Sequence, residues 1–235
     1  MATTPYAVRL THTFLCEDQL GRFRFTCPEG YVFRAGQFLE LTVGTREGPV
    51  THLLSIASIP AEGYLEVCTR LTGSPFKDAL VALQPGDTVA ISAARGTLAL
   101  PGQGRASVLL AGGVGVVPVR SLITDAVTRS GVGRLVLFQA DRSATCMPYA
   151  EELDALSRSG ALVRIPVIDR MEPGWRGETG HISAQMIRSR LPEDMDGARW
   201  VVAGPPGMVN GMRDVLAELG IPATDVAIER FTGYE

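Results

Sequence analysis

The chain has 235 residues, which is long for one compact domain and short for three, so one large or two small domains is the starting expectation. Hydrophobic residues make up 46% and charged residues 20%, a composition that buries a sizeable core and excludes a disordered chain. Lys and Arg number 22 against 25 Asp and Glu, and this balance of −3 excludes an electrostatically driven nucleic-acid binder and a polybasic membrane patch.

From Tyr6 to about Ser92 the pattern is one of short alternating runs punctuated by glycine. Leu20–Cys27 puts Phe23 and Phe25 on one face and Arg22, Arg24 and Thr26 on the other. Phe38–Val43 and Tyr64–Thr69 repeat this period of two. Gly36, Gly44, Gly63 and the Pro85-Gly86-Asp87 turn separate the runs, and only Pro75–Leu83 reads as helix. Short strands at this spacing predict an antiparallel barrel or sandwich.

After Pro101-Gly-Gln-Gly-Arg105 the texture changes. Ser107–Ala111, Arg134–Ala140, Leu162–Val167 and Arg199–Ala203 are short apolar runs of buried-strand character. Amphipathic segments follow most of them, at Val116–Thr128, Pro148–Arg158, Ser183–Arg190 and Pro206–Leu219. Strand alternating with helix predicts βαβ units and a parallel sheet. The expected division is therefore a β-barrel domain over residues 1–102 and an α/β domain over residues 103–235.

The four cysteines, Cys16, Cys27, Cys68 and Cys146, form no close pair, and His12, His52 and His181 make no metal-spaced set. Neither zinc nor an iron–sulfur cluster is expected. The start, MATTPYAVRL, lacks the basic-then-apolar order of a signal peptide, and Ala106–Val119 is too short and too glycine-rich to span a bilayer. A soluble, cytoplasmic protein is the expectation.

Two turns carry the chemistry. Gly112, Gly113 and Gly115 lie where the first strand of the second half meets its helix. Glycines there permit close approach of backbone to ligand, and the helix N-terminus offers N–H groups to a phosphate. Pro118 loses no hydrogen bond in the first helical turn. A tight turn that needs glycine only for packing is the alternative. The second turn is Gly204-Pro205-Pro206, with Met208 close behind, at the end of another strand. Ligands of open α/β sheets bind where such turns fall, at the carboxyl ends of strands.

The order of motifs resembles the ferredoxin–NADP reductase superfamily, in which a flavin-binding barrel precedes a Rossmann-like nicotinamide-nucleotide domain. Ala111–Pro118 is similar to its nicotinamide pyrophosphate loop, Ala203–Met208 to its C-G-P-P-x-M, and Glu229–Tyr234 to its E-x-F-x-G-Y ending. In the barrel, His52–Ser58 takes the place of R-x-Y-S-[IL]-A-S and Arg70–Phe76 that of the second flavin loop, while Trp175–Gly180 resembles a segment of small stand-alone members. The resemblance implies a bound flavin, FAD or alternatively FMN, and NADPH or NADH as reductant. It places Ser55 near the flavin N5, with Ile56, Ala57 and Ser58 along the ring and Gly73 and Ser74 at the flavin pyrophosphate. Thr69, Arg70 and Phe76 belong to the same flavin loop. Gly112, Gly113, Gly115, Gly204, Pro205, Pro206 and Met208 would receive the nicotinamide dinucleotide, with Arg142 and Ser143 at the adenosine ribose. Phe231 is the candidate for covering the flavin, and Glu229 lies close to that region.

Three positions depart from the pattern: His52 for arginine, Leu54 for the stacking aromatic, and Ala203 for cysteine. Asp141 beside Arg142 offers an alternative ribose contact that favours NADH. The leading expectation is an NAD(P)H-dependent flavin oxidoreductase that passes electrons to a separate acceptor, whether ferredoxin, an oxygenase component, free flavin or a small molecule. The alternatives are a flavoenzyme that does not use NAD(P)H efficiently and a non-catalytic subunit of a larger complex.

Overall fold

A computed structural model describes residues 5–16, 19–102, 104–129 and 133–231. The chain divides between Thr97 and Leu98 into two compact units. The stretch 101–105, expected as the linker, therefore leads into the second unit.

The first unit contains β1 (Tyr6–Cys16), β2 (Leu20–Thr26), β3 (Phe38–Thr45), β4 (Gly48–Ser55), β5 (Tyr64–Arg70), α1 (Pro75–Ala82) and β6 (Thr88–Ile91). The strands form one antiparallel sheet in the order β4-β3-β6-β1-β2-β5. A bridge from Ile56, just beyond β4, to Val67 of β5 joins the two outer strands and closes the sheet on itself. Period-two alternation in β2 points Phe23 and Phe25 inward, where they are 0% and 1% exposed. Leu39 and Leu41 of β3 and Leu65 and Val67 of β5 meet them, and Phe76 and Leu80 of α1 complete the same core. Each such side chain contributes ~1.5–3 kcal/mol by burial. On the other face, Arg22 and Arg24 reach Glu66 of β5, which is 1% exposed, at 3.0 and 2.5 Å. Gly44 lies inside β3 rather than ending it.

The second unit contains β7 (Ser107–Gly112), α2 (Val116–Arg129), β8 (Leu135–Asp141), α3 (Ala150–Arg158), β9 (Val163–Ile168), β10 (Glu178–Thr179), α4 (Ala184–Arg190), β11 (Arg199–Gly204), α5 (Pro206–Glu218) and β12 (Val226–Arg230). All six strands run parallel in the order β10-β9-β8-β7-β11-β12. Val108, Leu110, Val136, Phe138, Trp200 and Val202 form the central core. Near-continuous burial along β7, β8 and β11 is what a parallel sheet covered on both faces requires. The segments expected as helices at Val116, Pro148, Ser183 and Pro206 become α2 to α5. Ser183 is the N-cap of α4, its hydroxyl accepting from the Met186 amide at 3.2 Å. Among the described residues, no helix is long and apolar enough to cross a membrane.

Candidate functional site

In the second unit the first strand, β7, lies at the middle of the sheet, between β8 and β11. The chain leaves β7 toward β8, β9 and β10, and leaves β11 toward β12 on the other side. The carboxyl ends of β7 and β11 therefore flank the point where the strand order reverses, the place where open α/β sheets leave a crevice. Both turns singled out in the sequence fall there. Gly112 ends β7, Gly113–Gly115 forms a single 3₁₀ turn, and α2 begins at Val116. Gly204 ends β11, Pro205 caps α5 and Pro206 opens it. Two helix N-termini thus come to neighbouring strand ends, and their dipoles favour an anion.

The three glycines do different work. A Cβ on Gly112 would lie 2.0 Å from the Met208 sulfur, and one on Gly115 would lie 2.1 Å from the Ala203 carbonyl oxygen. At Gly115 the obstacle is backbone, so packing itself requires glycine, whereas at Gly112 it is the Met208 side chain, which fills the space that the missing Cβ leaves. Gly113, at φ +54° with no atom within 4 Å of a Cβ, is the position whose conformation demands glycine and whose face stays open. One register row across the sheet runs Gln139, Ala111, Ala203, Glu229. Burial pushes the Glu229 carboxyl above its usual range. The Phe231 amide donates to the Gly204 carbonyl at 3.2 Å, which brings Phe231 to the same edge. Gly233 and Tyr234 of the ending motif lie outside the described residues.

Arg142 and Ser143 follow β8 at this edge. The Asp141 carboxylate accepts from the Arg142 amide at 2.9 Å and is 9% exposed, so it serves the loop that Arg142 begins. A cleft of about 410 Å³ opens nearby, bounded by Ala140, Asp169, Gly180, His181, Met208 and Met212. Sequence reading did not single out Asp169 or take His181 as a site residue. The available signal was their position, Asp169 directly after β9 and His181 directly after the Trp175–Gly180 segment.

In the first unit the expected flavin residues gather at the end of β4, the end of β5 and the start of α1. Ser74 caps α1, its hydroxyl accepting from the Lys77 amide at 3.4 Å, and Gly73 precedes it at φ +72° with open space around it. The His52 ring stacks on Phe76 with centroids 4.1 Å apart and planes at 12°. Lys77 is 5% exposed, and its Nζ donates to Thr72 Oγ1 at 2.9 Å. Burial pulls the Lys77 ammonium below its usual value, and burial followed by the Lys77 charge pulls the His52 imidazole down. Arg70 is half-buried at the end of β5 and Thr69 is 3% exposed. A helix N-terminus with a buried ammonium in its first turn suits a phosphate ester.

Ser55 is 5% exposed, and Ile56, Ala57 and Ser58 are 0–1% exposed. The Ile56 and Ala57 amides donate to the Gln37 and Glu66 carbonyls at 2.9 and 2.8 Å, and the Ser58 hydroxyl accepts from the Glu66 amide at 3.0 Å. This strip therefore closes the barrel. Phe76, at 1% exposure, is core beneath His52. Leu54 packs half-buried against the same core.

The family model described as the oxidoreductase NAD-binding domain matches residues 109–214. Ferredoxin–NADP reductase B of Sorangium cellulosum is 29% identical over 97% of this chain and 98% of its own length. NADH-cytochrome b5 reductase 1 of Pyricularia oryzae is 26% identical, covering 82% of this chain, which spans only 64% of that protein. Among solved structures, a ferredoxin–NADP⁺ reductase from Neisseria gonorrhoeae with bound FAD and NADP aligns over 97% of this chain and 99% of its own, with a TM-score of 0.83 at 22% identity. A closed antiparallel sheet ahead of a parallel sheet with paired glycine turns at its reversal point is the two-unit fold of the ferredoxin–NADP reductases, the second unit matches an oxidoreductase NAD-binding domain, and the chain is similar to one such reductase along nearly the whole length of both.

Proposed function

We propose that this protein takes reducing equivalents from NADPH or NADH through a flavin, FAD in the first instance, and delivers electrons to a separate acceptor. The observation that carries the reading is the convergence of two helix N-termini at the carboxyl ends of β7 and β11, where the strand order reverses. The residues fit both groups. The donor set at the start of α1, with Lys77, Arg70 and His52 near it, suits the flavin diphosphate. The open face of Gly113 and the starts of α2 and α5 suit the nicotinamide diphosphate.

When bound, the two cofactors supply the redox chemistry, a hydride passing from nicotinamide to flavin and single electrons or a pair onward. The chain's own part is to hold and orient. Gly73 and Ser74 offer backbone N–H groups, and Lys77 offers charge next to them. Gly113 allows the closest backbone approach, while Met208 wedged between Gly112 and Gly204 keeps the two turns at a set spacing. Asp169 can accept from ribose hydroxyls in its cleft, and Arg142 and Ser143 stand at the neighbouring strand end. We assign Ser55 to the flavin side, and Glu229 and Phe231 to the nicotinamide side.

The test is an anaerobic visible spectrum of the purified protein, reconstituted with FAD or FMN where needed, before and after stoichiometric NADH and then NADPH. Rapid bleaching of the flavin band by one nucleotide is expected and identifies the preferred reductant. A flavin band that neither nucleotide bleaches refutes the reductase reading, and absence of any flavin binding refutes the flavoprotein reading.

A further inference from the structure

Below the loop between β8 and α3 lies a polar cluster that neither turn explains. Gln139 on β8 is 1% exposed, and the Arg164 side chain on the adjacent strand β9 is 4% exposed. Arg164 Nε donates to Gln139 Oε1 at 2.9 Å, Nη1 to Asp154 of α3, and Nη2 to the Met147 sulfur at 3.3 Å. Gln139 Nε2 in turn donates to the Pro148 carbonyl at 2.9 Å. Removing a guanidinium from water is unfavourable, and an apolar side chain of similar volume would pack here without that penalty. Stability alone does not account for the choice.

What the cluster secures is the end of the loop over residues 142–149. Met147 and Pro148 are bonded to it directly, and the next residue, Tyr149, stands at φ +59°, a conformation that a side-chain-bearing residue keeps only when its surroundings over-determine it. The Arg120 guanidinium lies 5.7 Å over the Tyr149 ring and pairs with Glu152, adding a second hold. Midway along the loop, the Ala144 amide donates to Glu172 of the β9–β10 connection at 3.3 Å. The loop opens with Arg142 and Ser143.

We propose that Arg164 and Gln139 are positioning residues that hold the β8–α3 loop in the form that receives the adenosine half of the nicotinamide nucleotide. This rests on the nucleotide reading of the second unit and names residues that touch no ligand. The hydrogen bonds of both side chains run to β8, α3 and the loop before it rather than to the strand-end turns, so the nicotinamide half should be indifferent to them. Pre-organising the loop lowers the ordering cost of binding, and a loop freed by an ångström loses affinity out of proportion to the contacts removed.

The experiment compares wild type, Arg164→Met, Gln139→Leu and Arg164→Lys as flavin-loaded full-length proteins. Binding of 5′-AMP is measured by calorimetry, KM and kcat with the preferred nucleotide, and the reduction rate with reduced nicotinamide mononucleotide, which lacks the adenosine. Arg164→Met and Gln139→Leu should weaken AMP and raise KM roughly tenfold or more, with kcat, flavin content and the mononucleotide rate unchanged. Arg164→Lys should recover part of the loss, because an ammonium can reach Asp154 but cannot bond Gln139 and Met147 together. Unchanged AMP affinity in folded variants, or equal losses of AMP and mononucleotide use, would overturn the proposal. Should Arg164→Met fail to fold, Gln139→Leu decides, since it leaves the Arg164–Asp154 pair in place. A wild-type protein that binds neither AMP nor either nicotinamide dinucleotide overturns the nucleotide reading itself, a result distinct from variants that match a binding wild type.

Discussion

Gly115→Ala should damage the second unit far more than Gly113→Ala, although both sit in the same turn. A Cβ at position 115 meets the Ala203 carbonyl oxygen at 2.1 Å, the Ala203 carbonyl carbon at 2.5 Å and Gly204 Cα at 2.8 Å. All three obstacles are backbone, so no rotamer change relieves them. Restoring ordinary contact at 3.4 Å requires an opening of about 1.3 Å between the turn and β11. Ala203 is paired to Ala111 on one side and Glu229 on the other, so β11 cannot retreat without loosening a ladder. Overpacking of this kind costs ~1–3 kcal/mol, and an immovable backbone puts it at the upper end. At ~2–4 °C per kcal/mol, the thermal midpoint should fall by roughly 6–12 °C. Gly113→Ala meets nothing within 4 Å and bears only its left-handed φ of +54°, about 1 kcal/mol and ~2–4 °C. Its larger effect should be on nucleotide affinity, because the added methyl faces the open side of the turn. Thermal and urea denaturation of both variants, followed by the second unit's Trp175 and Trp200, checks the order. A Gly115→Ala protein melting within 2 °C of wild type, or a Gly113→Ala protein equally destabilised, would refute the packing argument.

Glu66→Gln leaves Arg22 and Arg24 without their carboxylate on the barrel's outer face, and urea denaturation should show a loss of about 2 kcal/mol, below the value for a fully buried pair because both arginines reach solvent. The His52 imidazole titrates below its ordinary value of 6.5, so its neutral form contributes stability above pH 6.5 that is lost as the pH falls through the lower folded value. The FAD diphosphate should reverse that sign by pairing with the protonated ring. FAD titrations should therefore tighten between pH 7.5 and pH 5.5, and His52→Asn should abolish the trend; an equal pH dependence in the variant rules it out. Glu229 has the opposite linkage to that of His52 in the free protein. Its raised value means that folding favours the protonated carboxyl relative to the unfolded chain, so this contribution to stability is full below pH 4.5 and is lost as the pH rises through the folded value. Glu229→Gln should consequently raise the melting temperature at pH 8 and leave it unchanged at pH 4. Ser74→Ala removes the cap on α1 and should cost ~1 kcal/mol, with weaker FAD retention during gel filtration.

Local pattern made most of the framework legible. Alternation in Leu20–Thr26 and the apolar runs of the second half each report on one strand's own two faces, and proline and serine at helix starts report on the next few residues. The strand β4 escaped because its alternation is flat: His52 and Leu54 are half-buried on one side, and Leu53 is 62% exposed on the other. The two-residue β10 has no pattern to read at all. Site chemistry divides along the same line. The glycine turn was visible as permissive backbone, but what each glycine permits depends on residues far along the chain. Gly112 makes room for Met208 and Gly115 for the Ala203 carbonyl, so two of the three glycines that read as a ligand cradle are joints between turns. Gln139 and Arg164 show the converse. In sequence they interrupt two apolar strands, yet on adjacent strands, with Gln139 opposite Pro166 and Arg164 opposite Leu137, their side chains meet in the interior, bonded to a loop that carries Arg142 and Ser143. A polar residue inside an otherwise buried parallel strand is thus a pointer worth following, because its burial is unfavourable unless hydrogen-bonding partners compensate it, and those partners show what it holds in place.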